Sequence, residues 1–194
     1  MEQFNLKSAI LNTLTQPQAV ARALIEWNPP TQARWLGLAV VVVLSACLGL
    51  AGQVIASAMI PDTEELNFNP IPLIVLQAII LVYAAAAMTF VGRLGNGVGN
   101  FRDALLLMSW AEFVMVILQI VQLVLVVVAP ATLGVTTILL LFLMFYLVVN
   151  FAAALHGFRN LAVVAIGTII TFFASAFAAG LILMILGVMP SPSA

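Results

Sequence analysis

The stretch FRDALLLMSWAEFVMVILQIVQLVLVVVAP, residues Phe101–Pro130, decides the fold. Between Ala104 and Ala129 it holds a single charged residue, Glu112, and neither glycine nor proline until Pro130 stops it. Its apolar residues run on without alternation and far past the ~10 residues of a barrel strand, so the stretch reads as a helix. At ~1.5 Å per residue it is longer than the ~30 Å hydrocarbon layer of a bilayer. It therefore predicts a membrane span.

Four more stretches read the same way. One runs from Trp35 to Ile60 and stops at Pro61; another runs from Ile71 to Phe90 behind the start signal Asn69-Pro70-Ile71-Pro72. The fourth and fifth cover Thr132 to Leu155 and Leu161 to Met189, with Pro190 beyond. The whole composition agrees: 64% of the 194 residues are hydrophobic, 7% are charged, and mean hydropathy is +1.23. A soluble domain carries roughly 25% charged residues, so this chain lacks the polar surface to stay in water. The expected fold class is all-α: a polytopic membrane protein with five transmembrane helices after an N-terminal interfacial amphipathic region. Its parts are residues 1–34, a transmembrane domain at 35–189 and a short tail at 190–194.

Charge placement supports five crossings. With the N-terminus inside, the cytoplasmic pieces hold Lys7, Arg22, Arg34, Arg93, Arg102 and Arg159, which are all six basic residues. The opposite side receives Asp62, Glu64 and Glu65. A six-to-zero split obeys the positive-inside rule, so the N-terminus is expected in the cytoplasm and the C-terminus outside. Met1 opens a polar-rich stretch, so no cleavable signal peptide is expected.

Several functions lose their footing here. A net charge of −1 with no basic cluster gives no field for nucleic acid. One cysteine, Cys47, and one histidine, His156, supply no metal framework. No motif for intramembrane hydrolysis is present. No catalytic residue, cofactor or metal is expected, and the chain reads as a non-enzyme.

Before the first span, Phe4, Leu6, Ile10, Leu11 and Leu14 recur near helical spacing. A second short helix is expected with Thr15 as N-cap and Pro17 in its first turn. It would carry Val20, Leu24 and Trp27 on one face and end at Asn28-Pro29-Pro30. These helices would either present a face to a partner at the cytoplasmic interface or pack under the bundle.

Glu112 is the most informative residue. It lies nine residues after Asp103, roughly 13 Å along the helix, where an unpaired carboxylate is costly. Ser109, Glu112, Gln119 and Gln122 share a stripe at spacings of three and seven, so that face is expected to point inward. Gln77, Tyr83, Asn150, Thr168, Thr171 and Ser175 on other spans are available to meet it. Glu112 with Ser109, Gln119, Gln122 and Asn150 is the candidate polar cluster. It is either a hydrogen-bonded seam between helices or a proton- or ion-responsive site.

The glycines of Gly92-Arg93-Leu94-Gly95-Asn96-Gly97-Val98-Gly99-Asn100 do not complete a nucleotide-binding fingerprint, because Asn100 stands where the third glycine is needed. They read as a flexible turn, with Asn100 as N-cap and Asp103 at the positive end of the next helix. His156 and Arg159 would offset the dipole at the end of the fourth span. Small residues, Ser45 with Gly49 and Ala176 with Gly180, allow close helix packing within the chain or between copies.

Across nearly its whole length the chain resembles the bacterial branch of the Yip1 family. The resemblance rests on Leu14-Thr15-Gln16-Pro17 with Ala21-Arg22, on Gly92-Arg93-Leu94 and on Phe101-Arg102-Asp103-Ala104-Leu105. Trp110, Gln119, Gln122, Asn150 and Leu155-His156-Gly157-Phe158 extend it, and are similar to alphaproteobacterial members. It implies five spans behind an amphipathic cytoplasmic N-terminus, in the bacterial inner membrane. Eukaryotic relatives are trafficking factors that bind small GTPases and one another. Their Asp-Leu-Tyr-Gly-Pro signature is absent here, so GTPase binding is not carried over. Two readings follow: a scaffold that associates with lipid, other membrane proteins or itself, or a small transporter built on the Glu112 stripe.

Overall fold

A computed structural model describes residues 6–59 and 70–185. The acidic residues Asp62, Glu64 and Glu65, Phe4, the expected ends at Ile60 and Met189 and the tail lie outside the described residues. All described regular elements are helices: α1 (Leu6–Thr15), α2 (Pro17–Trp27), α3 (Thr31–Met59), α4 (Pro70–Leu94), α5 (Phe101–Val128), α6 (Leu133–His156) and α7 (Leu161–Ile185). A single 3-10 turn, Pro130–Thr132, joins α5 to α6. The last five helices are each long and apolar enough to cross a membrane. The five expected spans are therefore present, with ends displaced by a few residues. Thus α3 starts at Thr31, straight after Pro30, and α4 runs on to Leu94, which places Arg93 in its last turn.

The helix α5 is the hub, packing against α3, α4 and α6, with α2 across its basic end. Its buried residues run from Ala104 to Val116, while Ile120, Val121, Val124, Val127 and Val128 are exposed. The pattern repeats on α6, where Leu147 to His156 hold the buried positions and Ile138, Leu139, Leu141 and Phe142 face outward. On α3 and α4 the core residues are Leu38, Val41, Val42, Leu81, Ala85 and Met88. The dense packing thus occupies the half of the bundle nearest the Arg93, Arg102 and Arg159 turns. In lipid, where burial brings no hydrophobic gain, close van der Waals packing holds this half together. The other half turns apolar faces outward, as a lipid solvent permits.

The N-terminal helices dock on that packed half. Pro17, Val20, Ala21 and Leu24 of α2 are buried, and α2 lies against α6. Trp27 departs from the expected face and is 66% exposed. It is the last residue of α2, where Asn28 adopts φ 46° and turns the chain away. Thr15 is not the N-cap of α2. It closes α1, its hydroxyl donates to Leu11 O, and Gln16 occupies the cap without a side-chain bond. On α1, Leu6 and Leu11 are exposed while Thr13 is wholly buried. That burial costs little because Thr13 Oγ1 donates to Ala9 O at 2.7 Å and accepts from Trp110 Nε1 at 2.9 Å.

Candidate functional site

Glu112 is buried, 6% exposed, at the centre of the hub helix. Its Oε1 accepts from Ser45 Oγ of α3 at 2.6 Å and from Gln77 Nε2 of α4 at 2.8 Å. One carboxyl oxygen thus ties three helices together. Ser45 and Gln77 also line a cleft of about 180 Å³ between α3 and α4, rimmed by Leu73, Leu76 and Ile80. Glu112 stands directly behind that lining.

The rest of the expected cluster is dispersed. Ser109 is buried on the same stripe, but its hydroxyl turns back to Leu105 O at 2.8 Å. Gln119 is half-buried with no side-chain hydrogen bond among the described residues. Gln122, a further turn on, donates to Thr136 Oγ1 at 3.1 Å and Thr137 Oγ1 at 2.9 Å, joining α5 to α6 beside their connecting turn. Asn150 does not face Glu112 at all. Its Oδ1 accepts from Gln18 Nε2 of α2 at 3.1 Å, and its Nδ2 donates to Tyr146 O at 2.8 Å. The reason is axial position: Asn150 sits in the last two turns of α6, level with the N-terminal helices. Thr168, Thr171 and Ser175 bond to carbonyls of their own helix, and Ser175 also meets Tyr83 of α4. Gln122, Asn150 and Tyr83 with Ser175 fasten one helix to the next, while Ser109, Thr168 and Thr171 are satisfied within their own helices.

A second set of contacts fastens the basic end, and its central residue escaped the sequence reading. Arg34 is buried, 4% exposed, and spends its guanidinium on three groups. Nε donates to Pro29 O at 2.9 Å, Nη2 to Asn28 Oδ1 at 2.8 Å, and Nη1 pairs with Asp103 Oδ1. Asn100 caps α5 as expected, accepting from Asp103 N at 2.9 Å. Asp103 therefore serves both the helix end and Arg34. The one signal in the sequence was Asn28-Pro29-Pro30, a turn rigid enough to hold two acceptors for a following arginine.

The glycine segment is not a slack turn. Arg93 Nε donates to Gly99 O at 3.0 Å, and the glycines close around the ring of His156. A Cβ on Gly92 or Gly97 would overlap the imidazole, and one on Gly99 would overlap Leu155 and the ring. The ring is 4% exposed and stacks on Phe158 with centroids 5.5 Å apart. Gly99 N donates to Nδ1 at 3.1 Å, and Nε2 lies 3.0 Å from Met88 O. An Nδ1 that accepts and an Nε2 that donates describe a neutral imidazole. His156 is thus a strut between two turns, and the expected cation at the end of α6 is absent at this residue; Arg159 beside it is exposed.

The small-residue positions differ among themselves. Ser45 packs inward and bonds Glu112, but a Cβ on Gly49 meets nothing within 4 Å. Ala176 is exposed on α7, and Gly180 likewise has open space at its Cβ position. These three do not close contacts among the described helices.

Against this architecture, the family model for the Yip1 domain matches residues 11–189, from the middle of α1 past the end of α7. The chain belongs to the Yip1 family. Comparison with curated proteins and with solved structures found no match. Membership in the Yip1 family and five apolar helices together make this an integral, multi-pass membrane protein. The Yip1 match covers α2, both buried ties to α5 and the glycine cage, so these belong to the shared domain and not to an appended segment.

Proposed function

We propose that this Yip1-family protein is a non-enzymatic membrane scaffold that associates with other integral membrane proteins, with lipid and with itself. The observation that carries the reading is the outer helix α7. Of its 25 residues one, Val164, is buried, and its Ala176 and Gly180 positions face open space. Small residues at spacing four let a second helix approach closely, and packing of that kind drives association in lipid. The polar side chains support the same reading, since they are taken up between neighbouring helices or within their own helix and are parted along the bundle. A permeation path would gather them around Glu112.

In this proposal the chain sits in a bacterial inner membrane with its N-terminus in the cytoplasm and its C-terminus in the periplasm. All six basic residues then lie on the cytoplasmic side. Small GTPases and nucleic acid are not among its partners. The test is extraction from native membranes in mild detergent, with identification of whatever accompanies the protein. Ala176→Leu with Gly180→Leu is expected to release the partner while leaving thermal stability within about 0.5 kcal/mol, as befits outward positions. Unchanged co-purification would refute the α7 surface. Glu112-dependent solute or proton flux in vesicles, with nothing co-purifying, would refute the scaffold.

A further inference from the structure

We propose that the open cavity between the starts of α3 and α5 binds the phosphate of an anionic lipid headgroup, with the Arg102 guanidinium as its cation. The proposal deepens the lipid part of the scaffold reading, on which it rests, by naming the class of lipid and a place for it other than the α7 surface.

The cavity's own donors and acceptors select the charge of its occupant. It measures about 440 Å³, within the ~300–1,000 Å³ of small-molecule sites, and is lined by Asn28, Arg34, Asn100, Phe101, Arg102 and Asp103. Every side-chain oxygen in that lining already accepts a bond. Arg34 donates to Asn28 Oδ1 and Asp103 Oδ1, Asn100 Nδ2 to Asp103 Oδ2 at 2.6 Å, and Asp103 N to Asn100 Oδ1. Two donor groups are left over. Arg102 is exposed and its guanidinium has no partner among the described residues; Asn28 Nδ2 has none there either. Arg34 is neutralised by Asp103, so the lining keeps the one positive charge of Arg102. Engaged acceptors, free donors and a net cation make a site for an anion.

Depth in the bilayer selects which anion. Thr31 and Phe101 are the first residues of two helices long and apolar enough to cross a membrane, so the cavity lies where hydrocarbon gives way to headgroups. Trp35, 43% exposed, packs on Phe101 with ring centroids 6.3 Å apart, and tryptophan favours that layer. Phe101 gives the cavity an apolar wall for the glycerol and first methylenes of a lipid, a contact that a free phosphate ion would leave unused. The paired N–H groups of an arginine match phosphate oxygens. Net headgroup charge matters as well, because Asp103 has both oxygens engaged and none free for a choline or ethanolamine ammonium. A headgroup that carries the phosphate charge alone, such as that of phosphatidylglycerol, fits; basic pockets between membrane helices hold anionic lipids in this way.

The experiment is native mass spectrometry of the full chain in mild detergent, with phosphatidylglycerol and phosphatidylcholine of matched acyl chains at equal concentration. The first phosphatidylglycerol adduct is expected to form about fivefold more readily than the phosphatidylcholine adduct, the attraction of one basic side chain for an anionic lipid. Arg102→Gln breaks no bond to a described residue, so its helical circular dichroism should match wild type while the preference falls to equality. Arg159→Gln removes the same charge from an exposed turn outside the cavity and is expected to keep the preference. Inorganic phosphate in excess is expected to leave the lipid adducts unchanged. Equal adducts in the wild type, or an undiminished preference in Arg102→Gln, would overturn the site. An equal loss in Arg159→Gln would also overturn it, assigning the effect to the diffuse charge of that end of the bundle. Displacement by inorganic phosphate would overturn the lipid as its occupant. None of these results alters co-purification through α7, so failure here and failure of the scaffold are separable.

Discussion

Replacing Glu112 by leucine removes two hydrogen bonds at once, from Ser45 and from Gln77, and with them the polar tie of α3 and α4 to the hub. Interhelical hydrogen bonds inside membranes average ~0.6 kcal/mol and reach ~1.7. Two of them set the expected loss at about 1–3 kcal/mol. Ser45 softens the loss, because a serine on a helix is able to turn its hydroxyl back to its own backbone. Gln77 has no such recourse. Glutamine at position 112 keeps an acceptor oxygen where Oε1 stands, so Glu112→Gln is expected to stay within about 0.5 kcal/mol of wild type. The assay is reversible unfolding in mixed micelles, followed by helical circular dichroism, for wild type, Glu112→Gln, Glu112→Leu, Ser45→Ala and the Ser45→Ala/Glu112→Leu double variant. The double variant is expected to lose less than the sum of its parts by at least ~0.5 kcal/mol, the coupling of the shared bond. A leucine variant as stable as wild type, or a glutamine variant as damaged as leucine, would refute the hydrogen-bonding argument.

Other sites test other joints of the bundle. Gly97→Ala places a methyl group into the His156 ring and is expected to cost about 1–3 kcal/mol in the same assay. Gly134→Ala, where the added atom meets nothing within 4 Å, is expected to stay within about 0.5 kcal/mol. His156→Ala in the Gly97→Ala background opens the space again, so the pair should lose less than the two single variants summed. Arg34→Met leaves Asp103 and the Asn28 and Pro29 acceptors without their common donor, and about 3 kcal/mol of destabilisation is expected for breaking a buried pair; a loss under ~0.5 kcal/mol would show the pair to be idle. Trp110→Phe removes the bond to Thr13, so amide exchange in α1 should quicken while the core of α5 stays protected.

What was legible in the sequence was whatever depends on one helix at a time. Apolar run length, the stops at Pro30 and Pro130 and the Asn100 cap are local signals, and each marks an end that the structure reproduces. The inward turn of Ser109 and Glu112 was legible for the same reason, since a stripe is a property of a single helix. Partner choice was not. Glu112 meets Ser45 and Gln77 and not Asn150, because contact requires matching depth on antiparallel helices as well as a shared interior. His156 looked like a terminal cation because its sequence position is that of a helix end. Only the approach of the α4–α5 turn, with three glycines thin enough to enclose a ring, makes it a buried neutral strut. Arg34 was counted as one of six charges on a surface, and its burial depends on Asp103 arriving from 69 residues away. Trp27 departs in the opposite sense: its spacing fits the buried face of α2, but it is the last residue of the helix and stays exposed.

The central claim is that successive helices carry the chain from one side of the bilayer to the other, five times. With Cys47 replaced by alanine, single cysteines at Asn96, Ala131 and Asn160 report on the turns flanking α5 and α6. A membrane-impermeant thiol reagent on intact cells is predicted to label Ala131→Cys at once, and Asn96→Cys and Asn160→Cys only after permeabilisation. Labelling of Asn96→Cys and Ala131→Cys from the same side would contradict a crossing by α5 and the arrangement built on it.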